Sequence, residues 1–182
     1  MYDMKRTIFA ALIMMLVVPF SVFAVSPRIH PVNTVKNIDK TGDEAIAAFK
    51  AAQEKDGKLV TIQRYEPASD GNDEYAFIEK ITALYTQSEK GLRLTYAVVD
   101  LNDHGSLYEE EYVYDPLPQN KLIRAKISHV EYGNPPGEEN TFYYMNGELV
   151  IVKGSDDYAR KPDDAMKRSE AIRSMVESVV GF

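Results

Sequence analysis

Residues 92–114 read LRLTYAVVDLNDHGSLYEEEYVY. On either side of the central DLNDHG, short runs of β-branched and aromatic residues alternate with a period of two: Leu92, Leu94, Tyr96 and Val98 before it, Tyr108, Tyr112 and Tyr114 after it. That period is the habit of a strand with two unlike faces. Asp, Asn and Gly are the residues a tight turn needs for its own backbone. The stretch therefore reads as a β-hairpin, and the middle of the chain as an antiparallel sheet.

Working outward, KLIRAKISHV is the next strand, reached across DPLPQN. Setting Tyr114 opposite Lys121 brings Glu111 opposite Arg124 and Glu109 opposite Lys126 on one side, with Tyr112 meeting Ile123 and Tyr108 meeting Ile127 on the other. Each such pair contributes ~0.2–1 kcal/mol. Further on, Asn146-Gly147 in YYMNGELVIV is the dipeptide that accepts positive φ at both central positions of a type I′ turn. Pairing Met145 with Glu148 groups Phe142 and Tyr144 with Ile151 and Leu149, and Tyr143 with Val150 on the opposite face. Both faces of this hairpin are apolar, so both should be covered. Upstream, residues 73–90 fit either a helical stripe (Phe77, Ile78, Ile81, Leu84, Tyr85) or a strand, and Ile78, Ile81, Thr82 and Thr86 favour the strand.

Helical patterns flank this region. Thr41 with Glu44 three residues later forms a capping box, followed by Ala45, Ile46, Ala48, Phe49 and Ala52 on one face and Gly57 as a stop. Residues 25–40, with Pro27 and Pro31 and no clear period, read as an extended leader. Near the other end, Pro162 suits a first helical turn, with Asp163 and Asp164 beside the positive terminus. Ala165, Met166, Ile172, Met175, Val176 and Val179 then recur at helical spacing as far as Gly181. The expectation is a single α+β domain over residues 41–182: an antiparallel β-meander of five to six strands with an N-terminal and a C-terminal helix packed on one face.

The first residues speak to location. Lys5 and Arg6 precede an apolar run that ends in Val22, Phe23 and Ala24, the order of a secretory signal peptide over residues 1–24. Retention as an anchor is the rival reading, since the run approaches the ~18 residues of a spanning helix. Cleavage after Ala24 leaves 158 residues, an ordinary single domain, with no stable membrane anchor. The chain has no cysteine, hence no disulfide framework and no site for a lipid anchor at the new N-terminus. A periplasmic or secreted protein is expected. With 21 basic and 28 acidic residues the net charge is -7, and such a surface repels phosphate backbones, so nucleic acid is not an expected partner.

The twelve residues from Asp100 to Glu111 also resemble the calcium loop of the EF-hand family, in which oxygen ligands stand at positions one, three, five and twelve and glycine at six. Asp100, Asn102, Gly105, Leu107 and Glu111 match positions one, three, six, eight and twelve. The resemblance implies a calcium site formed by Asp100, Asn102 and Glu111. It departs from the family at position five, where His104 is a poor ligand for a hard cation, and at Pro116 and Pro118, which would stop the exiting helix. With one ligand lost and no second loop, the implied site is of the weak extracellular kind, on the order of 0.1–1 mM. No family is recognised beyond this local likeness, and no other cofactor is expected.

No nucleophile elbow, zinc helix or phosphate-cradling glycine loop occurs. His30, His104 and His129 are the only histidines, and the run Glu109, Glu110, Glu111 reads first as a solvated strand edge. A hydrolase using carboxylates or His129 is the last-ranked alternative. Twelve tyrosines and no tryptophan are the unusual component, and several tyrosines fall in the expected sheet. If two helices cover one sheet face, Tyr108, Tyr112, Tyr143 and Tyr144 can line an uncovered aromatic face able to take a protein, peptide or glycan. The sequence thus points to an exported, non-enzymatic binding or adaptor protein of the cell envelope, with a weak calcium module as the alternative.

Overall fold

In a computed structural model that describes residues 31–54, 58–67, 75–88, 91–103, 106–130, 139–154 and 160–181, the alternating stretches form one sheet. Its strands are β1 (Leu59–Pro67), β2 (Tyr75–Ser88), β3 (Gly91–Asp103), β4 (Ser106–Tyr114), β5 (Leu122–Val130), β6 (Glu139–Met145) and β7 (Glu148–Gly154). Each pairs antiparallel with the one before it, so spatial order follows chain order. Helix α1 (Pro31–Glu54) precedes the sheet and α2 (Pro162–Val180) follows it. The class is α+β, an open seven-stranded meander with terminal helices packed on it. There are seven strands rather than five or six because LVTIQRYEP and the ambiguous 73–90 region both enter the ladder, with Ile62 opposite Ile81 and Thr82 opposite both Thr61 and Val98. A partner on each side satisfies the β2 backbone, which settles that segment as strand.

The opening stretch is a hairpin. Asp103 pairs with Ser106, and β3 and β4 run antiparallel from there to Tyr96 opposite Val113. His104 and Gly105 lie outside the described residues, as do the expected signal segment 1–24 and the Gly57 stop. Strands, not helices, flank the turn, so the helix–loop–helix that the EF-hand resemblance requires is absent here. No helix among the described residues is long and apolar enough to cross a membrane.

Register differs from expectation by a physical detail, the β-bulge. Between β4 and β5, Tyr114 faces Leu122 rather than Lys121, one residue from the expected register, and the extra residue Ile123 adds one more, so that from Val113 opposite Arg124 onward the ladder lies two residues from expectation. A two-residue slide preserves the faces. Glu111 therefore meets Lys126 instead of Arg124, and Tyr112 meets Ala125 instead of Ile123. In the β6–β7 hairpin Met145 does pair with Glu148, and Asn146 and Gly147 have φ of 56° and 90°. A bulge at Val150 then sets Ile151 opposite Tyr143 and Val152 opposite Phe142.

The helices sit on opposite faces, which corrects the expectation that both pack on one. Under α2, its Ala165, Ile172 and Val176 pack on Ala97, Tyr112, Tyr114, Phe142 and Tyr144 among others. Under α1, Ala45 and Phe49 cover Tyr96 and Val113, while Val35 and Ile38 cover Tyr143. Consecutive residues 112–114 and 142–144 are all buried, and a strand apolar on both parities needs cover on both sides.

Helix α1 begins ten residues earlier than the capping box indicates, so residues 31–40 are helical rather than extended. Its apolar seam is Val35, Ile38, Ala45 and Phe49, with Gly42 in the gap. Thr41 caps nothing, since its hydroxyl donates to the Asn37 carbonyl at 3.1 Å, as a hydroxyl inside a helix does. Helix α2 starts and stops as expected. Pro162 opens it, and Gly181, at φ 87°, donates its N–H to the Glu177 carbonyl at 3.1 Å.

Candidate functional site

The four tyrosines singled out from the sequence do not share a surface. Tyr112 and Tyr144 are fully buried beneath α2, their hydroxyls donating to Glu110 at 2.8 Å and to the Pro162 carbonyl at 2.7 Å. Burial, with Glu110 beside the first and Asp163 near the second, pushes both phenols well above their usual range. Tyr143 faces the other way, beneath α1, where its hydroxyl donates to Asp39 at 2.9 Å and accepts from Lys153 at 3.0 Å. Tyr108 is half-buried and lies against the His129 ring, centroids 5.1 Å apart. Successive side chains of a strand point to opposite faces, so Tyr143 and Tyr144 could never line one platform. Three of these hydroxyls instead fasten helix to sheet or sheet to buried charge.

The residues matched to calcium ligands lie together on the α1 face of the β3–β4 hairpin, but no loop wraps around them. Asp100 stands opposite Glu109 and pairs with Lys80 at 3.8 Å. Glu111 accepts the Tyr96 hydroxyl at 2.5 Å and has Lys126 at 3.7 Å, while Asn102 stands opposite Leu107. Among the described residues no group of three or more acidic or histidine side chains is placed to hold a metal ion. What the sequence presents as a coordination loop is two neighbouring strands showing one parity.

That parity defines the candidate site. Helix α1 crosses the sheet over Tyr96, Val113 and Tyr143, and in the two rows beyond these the side chains of Lys80, Asp100, Glu109 and Glu139 reach solvent while Glu111 and Ser128 are largely buried. Following the register, one row is Thr82, Val98, Glu111, Lys126 and Thr141, and the next is Lys80, Asp100, Glu109, Ser128 and Glu139. The strip holds four carboxylates against two lysines. Both lysines are engaged: Lys80 with Asp100, and Lys126 with Glu111 and, at 2.8 Å, with Glu139. Burial opposes the charge on Lys126, but the bond to Glu139 and the field of Glu111 outweigh it and hold the ammonium above its ordinary range. Glu109 is flanked by two carboxylates. Partial burial, then Glu111 and Asp100, raise its carboxyl above the usual range. Like charges directly opposite each other in a sheet are destabilising, and here Lys80 and Lys126 offset the repulsion around Glu109 only in part, which marks a functional candidate.

On the α2 face lies a second charged group that the sequence reading missed. Glu79 and Glu110 are both almost fully buried. Glu110 accepts from Arg160 Nε at 2.7 Å and Nη2 at 2.5 Å and has Arg168 Nε at 3.6 Å. Glu79 is paired with Arg168 and, at 3.7 Å, with Arg64. The signal for both was present: each carboxylate falls on the apolar parity of its strand, Glu79 with Ile81 and Ala83, Glu110 with Tyr112. Guanidinium groups flank both carboxylates. Among the described residues no hydrogen bond joins His129 to a carboxylate.

A scan against protein-family models, a search of curated proteins and a search of solved structures each found no match.

Proposed function

We propose that this is an exported, non-enzymatic binding or adaptor protein of the cell envelope, whose partner is a basic peptide or protein segment that docks on the acidic strip of sheet beside α1. The observation that carries the reading is the juxtaposition of Asp100, Glu109 and Glu111 on one hairpin face, with both nearby lysines already engaged. An extended segment bearing a lysine at every second position matches such a row, because a strand presents alternate side chains to one side. Its ammonium groups would relieve the repulsion around Glu109, which is where the binding energy would come from. The export half of the reading rests on residues 1–24. The non-enzymatic half is supported by Glu79 and Glu110, two buried carboxylates that are both paired with arginines.

The test is titration of the isotope-labelled protein with the octapeptide (Lys-Thr)4, followed by amide shifts. Saturable shifts confined to the strip residues of β2 to β6 are expected, weakening steeply with added salt. The double variant Glu109→Lys, Glu139→Lys should abolish them. Shifts elsewhere, or shifts that survive the charge reversal, would overturn the proposal.

A further inference from the structure

A groove of about 410 Å³ runs between α2 and the turns that follow β4 and β6, on the side of the molecule away from the acidic strip. Its two walls each contribute a cation: Lys121 from the β4–β5 turn and Arg173 from α2. Among the described residues neither is in an ion pair with a carboxylate. Lys121 Nζ donates to the Asn146 carbonyl at 3.1 Å, and Arg173 Nη2 donates to the Asn120 carbonyl. By contrast Arg124, Lys126, Arg160 and Arg168, which sit against the sheet elsewhere, are all in ion pairs. Two cations thus face one cavity, each with a backbone carbonyl as its described partner.

Arg173 is also held in place. Its guanidinium stands 5.6 Å from the centre of the Tyr114 ring, and that ring is itself fixed by its hydroxyl on the Ser169 carbonyl at 3.1 Å. With one nitrogen anchored on Asn120, the remaining N–H groups of the fork are left to bind an anion, without the entropy loss of ordering a long side chain. Leu122 and Met166 give the groove an apolar floor. Glu170 stands on the rim one helical turn before Arg173 and pairs with neither cation among the described residues. A single carboxylate there tolerates a monoanion between two cations and repels a dianion.

We infer that this groove binds a small amphipathic monocarboxylate, its carboxylate between Lys121 and Arg173 and its apolar tail on Leu122 and Met166. The carboxylate can belong to a free acid or to the C-terminus of a peptide, so both are probed. Hexanoate, hexanol, and a leucine-ending dipeptide with a free carboxylate or an amide are titrated separately, reading the amides of Gly147, Ser169 and Ser174. Hexanoate is expected to give saturable shifts with a dissociation constant on the order of 1 mM, and hexanol none. Tighter binding of the dipeptide acid than of hexanoate assigns the peptide source, and the reverse assigns the free acid. Lys121→Gln, at an exposed position that the fold does not need, and Arg173→Gln should each weaken binding roughly tenfold or more. Glu170→Gln should strengthen it and admit inorganic phosphate. Equal shifts with hexanol, no saturable shift with either carboxylate, or undiminished binding in Lys121→Gln would overturn the inference.

Discussion

Asn120 illustrates how one side chain can complete a sheet. It is 3% exposed, has φ of 47°, and its amide accepts from the Leu94 N–H at 2.8 Å and donates to the Leu94 carbonyl at 2.6 Å and the Asp115 carbonyl at 2.9 Å. These bonds replace a strand partner where the β3 ladder shifts register at Thr95. Asn120→Gly keeps the backbone angle but strands both Leu94 groups, and it should lower stability by about 2–3 kcal/mol in urea unfolding. Asn120→Asp should do at least as much, because a carboxylate cannot donate to the two carbonyls. In the sequence, DPLPQN reads only as a connection between strands. The bond from Asn120 to a strand 26 positions away was not legible there, since it depends on which strands become neighbours.

At the level of the element, α1 is shaped by what it lies on. An added Cβ at Gly42 would come within 2.4 Å of the Arg124 guanidinium, which is pressed against the helix and reaches Asp39 at 3.4 Å. Glycine inside a helix costs about 1 kcal/mol relative to alanine, so its presence here reflects that close approach. Gly42→Ala should therefore reduce stability by displacing Arg124 from Asp39. In an Arg124→Ala background the same substitution should stabilise by about 1 kcal/mol, and urea titration of the four proteins measures the reversal of sign. The seam Val35, Ile38, Ala45, Phe49 is a helical pattern, but Gly42 interrupts it and the capping box at Thr41 competes with it as a start signal. Burial against Tyr143 is what draws the earlier residues into the helix. Helix α2 carries Pro162 and Gly181 at its ends, and its bounds could be read directly.

For the whole molecule, the uneven placement of charge should show in the pH dependence of stability. Glu109 binds its proton more readily in the folded chain than in the unfolded one, so its ionisation destabilises the fold. That penalty is full above the raised folded value, shrinks as pH falls through it, and is gone below the ordinary carboxylate range. Glu109→Gln should accordingly melt about 1–3 °C above the parent at pH 7, with the gap closing near pH 4, as followed by circular dichroism. Strand alternation, the Asn146-Gly147 turn and the closing helix follow from period and local backbone chemistry, and the residues alone were enough to establish them. The hairpin reading of DLNDHG belongs with these, for the alternation on both sides excludes helices there. Bulges, the assignment of one helix to each face, and the burial of Glu79 and Glu110 among arginines were decided only when the chain closed on itself. A period says which side chains share a face, whereas what covers that face depends on contacts between residues far apart in the chain.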